Sequence, residues 1–510
     1  MLFRKKTPSL LTVHCSLLIA RNAPQQLNAK FKMSQLTAHI KEVTMNIILI
    51  VADQLKRTSL GCYGNSEVHT PNIDNLARNG MCFDHCVSVN PVCAPYRATL
   101  QTGLYPAQHG VVDNNVLFQK NTKTLAEYFN EHGYETAFVG KSHFGLDEIE
   151  EKDGYVRPEN RCGYKYWCGT GGDHHWDTPV YDEDKKLDTC YYGRYGAEVR
   201  TELALECLDE IGQKPFFMQV NYSEPHAATM MPLMTHPATA QLIKELNEQY
   251  GFGMPDYMLN PFHPAMNYVY FPQSLLTNLL PKRYLDMYAD WESLTPDSST
   301  PPELKRLTQY FLKEVYAMIT CLDDQVGRLN GELEQRGLKD DTVVIFTSDH
   351  GDDLGHANMR AKMSPYQSSY RVPFIAAGPN VVKNSRCSAP FNTVDLFSTV
   401  LGLAGIDVSG EKPGIPFTEF LRDGNGEKRG GTLIAACNFR ILYDGCFALI
   451  AYEKDGEVMK KSLFNVIDDP NDEHDLAELP EYKAAVDGMY VKLIERLHET
   501  GDWENIDATP

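Results

Sequence analysis

Short apolar runs alternate with helical patterns along the chain, which predicts a mainly parallel β-sheet covered by helices on both faces. The run at 46–54 (NIILIVADQ) is rich in β-branched residues and ends in polar groups, as is typical of a central parallel strand. Similar runs follow at 135–141, 215–223, 341–350 and 372–379. Helical patterns lie at 122–133, at 196–212 and at about 303–336. This alternation predicts an α/β fold.

The pattern changes after about residue 408. Short strands are interrupted by turn signals at Asp444-Gly445 and Asp455-Gly456, and a final helix is expected at about 480–499. We therefore predict a catalytic domain at 45–407 and a small antiparallel α+β subdomain at 408–510. The segment 228–302 is rich in Pro, Tyr, Phe and Met with little periodicity, which predicts elaborated loops near the site mouth.

The first 44 residues lack the patterns of a folded element. They begin with basic residues and a short apolar run that polar residues interrupt, so we interpret residues 1–44 as a disordered extension or a weak targeting segment. The true start could be Met33 or Met45. We expect a cytoplasmic location, or a periplasmic or secreted one if this segment works as a signal peptide. No run of eighteen apolar residues occurs, so a membrane span is not expected.

Charge and cysteine content narrow the function classes. The formal net charge of −20 argues against binding to nucleic acid or to anionic membranes, and any anionic substrate would need a local positive pocket. The 13 cysteines show no repeating spacing. Cys82 could pair with Cys86, or Cys162 with Cys168, but reduced buried thiols are the simpler interpretation.

Polar residues follow four of the predicted strands. In parallel sheets, ligands bind beyond the carboxyl ends of the strands. Asp53-Gln54 and Asp349-His350 hold these positions on two strands, and together they would suit a hard divalent cation. Ordinary capping of strand ends is the alternative for each pair taken alone. Asp352 and Asp353 lie close by in sequence but could simply be solvated.

Basic residues occur at the same ends. Lys141 and His143 alternate after one strand, so both side chains are expected on one face. His226 follows another strand, and Lys362 comes twelve residues after His350. Each alone would be ordinary, but together they predict a positive pocket for a sulfate or phosphate group.

The stretch CAPYRATLQTG places Cys93, Pro95 and Arg97 before a Thr-Gly pair. A thiol nucleophile needs a neighbouring base, and Arg97 cannot act as one. The stretch resembles the Cys-x-Pro-x-Arg signature of the formylglycine-dependent sulfatases, in which a separate formylglycine-generating enzyme oxidises this cysteine before folding is complete.

The resemblance extends over nearly everything from Asn46 to Leu476. GYETAFVGKSHFG is similar to the Gly-Lys-x-His element of that family, SEPHA to its Pro-His element, and TVVIFTSDHGDDLG to its second metal segment. This implies the alkaline-phosphatase-like α/β/α sandwich, with a mostly parallel central sheet and a small C-terminal antiparallel subdomain. Asp53-Gln54, where many members have two aspartates, and Asp349-His350 resemble choline sulfatases and phosphonate monoester hydrolases. The Lys-x-His element favours a sulfatase.

The resemblance implies a role for each site residue. Residue 93, as hydrated formylglycine, supplies the hydroxyl that attacks sulfur. One divalent cation, with Ca²⁺ expected and Mg²⁺ or Mn²⁺ as alternatives, is held by Asp53, Gln54, Asp349, His350 and residue 93. Arg97 and Lys141 stabilise the hydrate, and His143 removes the proton of its second hydroxyl. The sulfate is held by Lys141, His226 and Lys362, with Asn114 completing the pocket, and His226 or Lys362 protonates the departing alcohol.

The implied reaction is hydrolysis of a sulfate monoester, either of a carbohydrate or of an aryl or alkyl alcohol. A phosphonate monoester or phosphodiester hydrolase with the same site is the alternative. A non-catalytic binding protein with unmodified Cys93 is a second one. Aromatic and histidine side chains in the loops could stack on sugar or aryl rings, or could simply pack there; they are Tyr164, Trp167, His174, His175, Trp176 and Tyr257.

Overall fold

The predicted apolar runs form neighbouring strands of one eight-stranded sheet. The computed structural model describes residues 45–144, 154–172, 175–181, 187–226, 244–245, 247–251, 280–356, 362–436, 438–454 and 456–503. The predictions for residues 1–44, and for most of 228–279, lie outside these ranges.

The elements follow the expected order. The strands are β1 Asn46–Ala52, β2 Gly80–Phe83, β3 Cys86–Val87, β4 Glu135–Lys141, β5 Tyr166–Thr170, β6 Trp176–Tyr181, β7 Leu187–Tyr195, β8 Phe216–Asn221, β9 Thr342–Ser348, β10 Phe374–Ala377, β11 Ser385–Cys387, β12 Phe391–Asn392, β13 Thr432–Ala436, β14 Phe439–Tyr443, β15 Phe447–Lys454 and β16 Glu457–Asn465. The α-helices are α1 Pro71–Arg78, α2 Cys93–Thr102, α3 Pro106–His109, α4 Leu125–Glu131, α5 Gly196–Ile211, α6 Lys282–Met287, α7 Lys305–Gln335, α8 Gln367–Tyr370, α9 Thr393–Leu403, α10 Thr418–Asp423 and α11 Lys483–Thr500.

The large sheet has the order β11-β2-β10-β9-β1-β8-β4-β5. Strands β9, β1, β8 and β4 are parallel, as predicted, and β5, which was not predicted, is parallel to β4. Strand β10, which the sequence groups with them, is antiparallel to both β9 and β2. A parallel neighbour would need a crossover back to the other edge of the sheet. Among the described residues between β9 and β10 only the four-residue α8 is helical, so β10 starts near the edge where β9 ends and runs back.

Helices cover both faces of the sheet. Alternate residues of β1 point to opposite sides: Ile48 and Ile50 join one apolar core, and Ile47 and Leu49 join the other. Helices α1, α5 and α7 contribute to the first core, whereas α2, α4 and α9 contribute to the second. The long α7 matches the helix predicted at about 303–336, and its apolar stripe is buried. The predicted α/β/α layering is confirmed.

The C-terminal residues form the predicted antiparallel sheet. Strands β13 to β16 are joined in sequence, with a turn at the predicted Asp444-Gly445, and α11 follows. The second predicted turn includes Asp455, which lies outside the described residues. This sheet shares a core with the preceding part of the chain, because Val89 and Val394 pack with Leu433 and Leu449. The Ala435 amide also donates to the Val89 carbonyl at 2.8 Å. The C-terminal sheet is thereby joined to the segment just before Cys93.

Within the ranges given above, every helix is too short or too polar to cross a bilayer. Among the described cysteines, neither Cys82 with Cys86 nor Cys162 with Cys168 forms a disulfide.

Candidate active site

The predicted polar residues meet at one edge of the large sheet. Strands β9, β1, β8 and β4 are neighbours, and each ends at this edge. Asp53 and Gln54 follow β1, Asp349 and His350 follow β9, and Lys141 ends β4. Side chains far apart in sequence therefore lie together because parallel neighbours end on the same side.

Cys93 joins them from the first turn of α2. It is the first residue of this helix, and its side chain is buried. Pro95 is compatible with that turn, where backbone N–H groups have no helical partner. Gly103 ends the helix in the left-handed region, with φ of 69°, and its N–H donates to the Thr99 carbonyl at 2.7 Å. The proline and the Thr-Gly pair thus fix where the helix that carries Cys93 begins and ends.

Arg97 bridges the two acidic strand ends. Its guanidinium lies 2.9 Å from Asp53 Oδ2 and 2.8 Å from Asp349 Oδ2, and all three side chains are buried. Arg97 also donates to the Lys141 carbonyl at 2.6 Å. The planar fork of donors suits this role, because it can serve several acceptors at once. The two carboxylates raise the pKa of Arg97 despite its burial.

Lys141 adds a second positive charge beside Asp53. Its ammonium lies 2.6 Å from Asp53 Oδ2 and 3.9 Å from Cys93 Sγ. Burial alone would raise the pKa of Asp53, but the charges of Lys141, His226 and Arg97 outweigh burial and hold that pKa well below its ordinary value. The Asp53 carboxylate is therefore ionised.

Lys362 links Cys93 to His226. Lys362 Nζ lies 3.1 Å from Cys93 Sγ, 3.2 Å from His226 Nε2 and 3.4 Å from His350 Nε2. Burial and the Asp53 charge push the pKa of Cys93 up, but Lys141, Lys362 and His350 hold it well below its ordinary value. The surroundings of residue 93 thus stabilise a negative charge.

Four of these groups could hold a metal ion. One ligand atom from each of Asp53, Cys93, Asp349 and His350 lies within 4.8 Å of the others. The Gly351 carbonyl accepts a hydrogen bond from Nδ1 of His350 at 2.9 Å, so Nε2, 3.1 Å from Cys93 Sγ, is the ring nitrogen that would bind a metal ion once it has lost its proton. Burial and the neighbouring Asp53 raise the pKa of Asp349.

Gln54 fits the same metal centre. Its backbone N–H donates to Asp349 Oδ1 at 3.0 Å, and its φ of 64° lies in the left-handed region. Its amide oxygen Oε1 is buried and has no hydrogen-bond partner among the described residues. A buried acceptor without a donor is costly in a folded protein, and an ion would satisfy it. The oxygen-rich donor set suits a hard divalent cation.

Asn114 and His143 are placed differently. Asn114 Oδ1 accepts the Ala94 amide at 3.0 Å, so Asn114 lies beside the turn that carries Cys93. Strand β4 ends at Lys141, and His143 has a left-handed φ of 49°, so strand alternation does not extend to His143. The His143 amide donates to the Gly171 carbonyl at 3.1 Å. Its catalytic role stays a prediction.

Asp352 and Asp353 are buried, which corrects the expectation that they are solvated. Asp352 Oδ2 accepts from Gln54 Nε2 at 2.7 Å, and Asp353 Oδ1 accepts the hydroxyls of Ser364 and Ser368 at 2.8 and 2.6 Å. Burial raises the pKa of Asp352 to about 6 and that of Asp353 to about 7. Their place after β9 was visible in the sequence, but their partners come from other segments.

A second buried polar group is centred on Glu224, two residues before His226, and was not predicted from the sequence. Glu224 lies 3.4 Å from His175 Nδ1 and 3.6 Å from Arg200, and Arg200 donates to Ser223 at 2.9 Å. His175 therefore pairs with a carboxylate. Tyr164 packs edge-on against Phe138 and donates to Gln219 at 2.8 Å, so it belongs to the core. His174 and Tyr257 lie outside the described residues.

A cavity of about 1090 Å³ is lined by neighbours of the site residues in sequence, and not by Cys93, Lys141, His226 or Lys362 themselves. Asn90, Val92 and Asn114 line it near α2, and Met363, the residue after Lys362, also lines it. The far wall comes from the C-terminal sheet and the end of the chain, through Ala435, Ala436, Arg440 and Asp502. The cavity is large enough for a ligand of more than one ring.

Comparison with known proteins gives a family match. A family model described as Sulfatase matches residues 45–406. An ulvan-active sulfatase of Formosa agariphila is 27% identical over 495 residues, which cover 93% of this chain and 85% of that protein. An N-acetylglucosamine-6-O-sulfatase of Bacteroides thetaiotaomicron is 26% identical over 405 residues, or 72% of this chain and 69% of that protein.

Solved structures agree on the fold. The crystal structure of yidJ from Bacteroides fragilis, a protein assigned as a sulfatase, matches with a TM-score of 0.75 and 23% identity. The match covers 92% of this chain and 98% of that one. The predicted alkaline-phosphatase-like architecture is confirmed.

Proposed function

Because the chain belongs to the sulfatase family and is a hydrolase of sulfate esters, we propose that its substrate is a sulfated carbohydrate and that its reaction needs a divalent cation and a formylglycine made from Cys93. The observation that carries the proposal is the convergence of Cys93, Lys362 and His350, with 3.1 Å separating Cys93 Sγ from each of the other two. Positive charge, acidic ligands and the signature cysteine lie around one point.

The cation would be held by Asp53, Gln54, Asp349, His350 and residue 93. When bound, the cation lowers the pKa of a hydroxyl and polarises a sulfate oxygen, and a hydrated formylglycine offers that hydroxyl as the nucleophile. Arg97 keeps both carboxylates of the centre in place through its contacts of 2.9 and 2.8 Å. Ca²⁺ is expected, with Mg²⁺ and Mn²⁺ as alternatives.

The basic residues bind the anionic group. Lys362 and Lys141 both contact Cys93, and His226 contacts Lys362, so we propose that their donors surround the sulfate oxygens and stabilise charge that develops during attack. His226 or Lys362 is proposed to give a proton to the departing alcohol. His143 is proposed to take the proton of the second hydroxyl of the hydrate. Asn114 is proposed to bind the sulfate beside the Ala94 amide.

Lys362→Ala is expected to lower kcat/KM for sulfate ester hydrolysis by about 10²–10³-fold, because one preorganised donor to the developing charge is removed. Inhibition by inorganic sulfate should weaken in the same variant. Steady-state kinetics and sulfate titration measure both effects. Lys412→Ala is the matched control, since Lys412 is equally a partly buried lysine but donates to Thr122 at 3.1 Å in another part of the fold. Equal kinetics for the two variants would contradict the assignment.

A carbohydrate substrate is favoured by the cavity of about 1090 Å³ and by the names of the relatives, which act on ulvan and on N-acetylglucosamine 6-O-sulfate. The deciding assay compares sulfated oligosaccharides, choline sulfate and aryl sulfates, with a phosphonate monoester and a phosphate diester in parallel. The proposal expects the highest kcat/KM on a sulfated saccharide. A preference for the phosphonate or the diester would overturn it.

The cavity gives a sharper version of this assay. Val112 lines the cavity and is 48% exposed, so Val112→Trp should narrow the cavity without disturbing the core. We expect kcat/KM on a sulfated oligosaccharide to fall about tenfold or more, while that on a small aryl sulfate stays within about twofold. Leu117→Trp is the control, because Leu117 is similarly exposed, at 43%, and does not line the cavity. Equal losses on both substrates would exclude the cavity as the saccharide site.

A further inference from the structure

The side-chain amide of Gln54 has two ends in different surroundings. Its nitrogen Nε2 donates to Asp352 Oδ2 at 2.7 Å, whereas its oxygen Oε1 is buried without a hydrogen-bond partner among the described residues. An amide can turn by half a rotation and exchange these two atoms. Something must therefore decide which atom is left for a ligand.

Asp352 can accept hydrogen bonds but cannot donate them in this arrangement. Its Oδ1 accepts the Leu354 amide at 3.0 Å and its Oδ2 accepts from Gln54, so both oxygens already serve N–H donors. Turning the Gln54 amide would bring its oxygen against a carboxylate oxygen. That contact is repulsive and leaves a buried N–H of Gln54 without its acceptor.

The backbone holds Gln54 in place for this contact. Its N–H donates to Asp349 Oδ1, and its φ of 64° lies in a region that non-glycine residues seldom adopt. Such conformations persist where the surrounding contacts enforce them, which is common at functional sites. The Gln54 side chain therefore leaves the backbone in one direction, and only the orientation of its amide remains to be set.

We propose that Asp352 is a positioning residue that fixes the Gln54 amide with Oε1, and not Nε2, available to the cation. The inference rests on the proposed metal centre and goes beyond its ligand set. It also explains the glutamine: an aspartate or glutamate at position 54 would face the Asp352 carboxylate, whereas a neutral amide gives that carboxylate a donor.

Asp352→Asn tests this directly. The Leu354 amide should donate its hydrogen bond to the side-chain oxygen of the new asparagine. The side-chain NH₂ group of that asparagine would then face Gln54. The Gln54 amide is then expected to turn and present Nε2 to the metal centre. Titration of Ca²⁺ into the metal-free full chain by calorimetry, repeated with Mg²⁺ and Mn²⁺, should give an affinity about 10–100-fold lower than that of the unaltered protein.

Loss of the Asp352 charge could lower cation affinity by itself, so a second background is needed. In Gln54→Glu, both side-chain oxygens are acceptors, and no rotation can offer the cation a donor. Adding D352N to Q54E should therefore cost only the part of the cation affinity that comes from the Asp352 charge. The inference predicts a larger loss of affinity from D352N with glutamine at position 54 than with glutamate there.

Asp353→Asn is the matched control, because Asp353 is the next buried carboxyl and contacts Ser364 and Ser368 instead of Gln54. The cation affinity of this variant should stay within about twofold of that of the unaltered protein. Removing a residue that hydrogen-bonds to a metal ligand typically lowers metal affinity by about 10–100-fold. Unfolding temperatures in EDTA check that all variants fold.

The cation titrations distinguish the positioning role of Asp352 from the existence of the metal centre. An unchanged affinity in D352N, or an equal loss in both backgrounds, overturns the positioning role while the metal centre stands. If the unaltered chain binds none of the three cations, the metal centre and the inference both fail. Hydrolysis of a sulfate ester, measured separately, is not needed for any of these readings.

Discussion

Cys93→Ala is expected to lower kcat/KM for sulfate ester hydrolysis by at least about four orders of magnitude, as is usual when a nucleophile is removed. The reason is geometric. Lys362, Lys141 and His350 all approach position 93, and their charges hold the pKa of the native thiol well below its ordinary value. With alanine there, the same charges have no nucleophile to stabilise. Initial rates with a sulfated saccharide or an aryl sulfate measure the loss.

A matched cysteine serves as the control. Cys86 is also buried and lies in β3, seven residues before Cys93. Within the described part of the chain, it forms no hydrogen bond with a proposed site residue. Cys86→Ala should keep its activity within a fewfold. Mass spectrometry of the peptide that contains residue 93 should find a formylglycine form, lighter than the cysteine form and reactive with hydrazides. A C93A variant with near-normal kcat/KM would rule out residue 93 as the nucleophile.

Arg97→Met is expected to lower the free energy of unfolding of the metal-free protein by about 3–5 kcal/mol, since removing one partner of a buried ion pair leaves the other uncompensated. Here two carboxylates, Asp53 and Asp349, lose the guanidinium that bridges them. Methionine keeps much of the side-chain volume, so the loss reports mainly on charge and hydrogen bonding. Chemical denaturation in EDTA measures it. Saturating Ca²⁺ should return part of the lost stability, because a cation would offset the same carboxylates.

Arg386→Met is the control for this stability measurement. Arg386 pairs with Asp84 at the surface, where the two side chains are 47% and 28% exposed. Water and salt screen such a pair, so its removal should cost less than about 1 kcal/mol. If R97M lost no more stability than R386M, the bridge between the acidic strand ends would not contribute to the free energy of unfolding.

The sequence predicted the sheet edge well because the relevant strands are buried on both faces. Continuous apolar runs marked β1, β4, β8 and β9, and the first polar residues after them marked the edge where they meet. The same logic failed for β10, whose apolar run carries no information on direction. The short strands β2 and β11 were also absent from the prediction, since runs of three or four residues have no usable periodicity.

The hydrogen-bond partners of site side chains could not be predicted from the sequence where those partners come from distant segments. The contact of Asp352 with Gln54 joins residues 298 positions apart, and nothing in either local pattern announces it. His143 shows another limit, because alternation holds only while the chain stays extended, and the strand ends at Lys141. Cys93 was found from its motif, whereas its contact with Lys362 needed the fold.

The shared core between the C-terminal sheet and the catalytic part has a genetic consequence. Val89 lies four residues before Cys93 in the chain and packs with Leu433. Its carbonyl accepts a hydrogen bond from the Ala435 amide. A premature stop codon after residue 407 would strip this support from the loop that leads into α2, although every proposed catalytic residue would still be encoded. Nonsense mutations between residue 407 and β13 are therefore expected to abolish activity as completely as the loss of Cys93 itself.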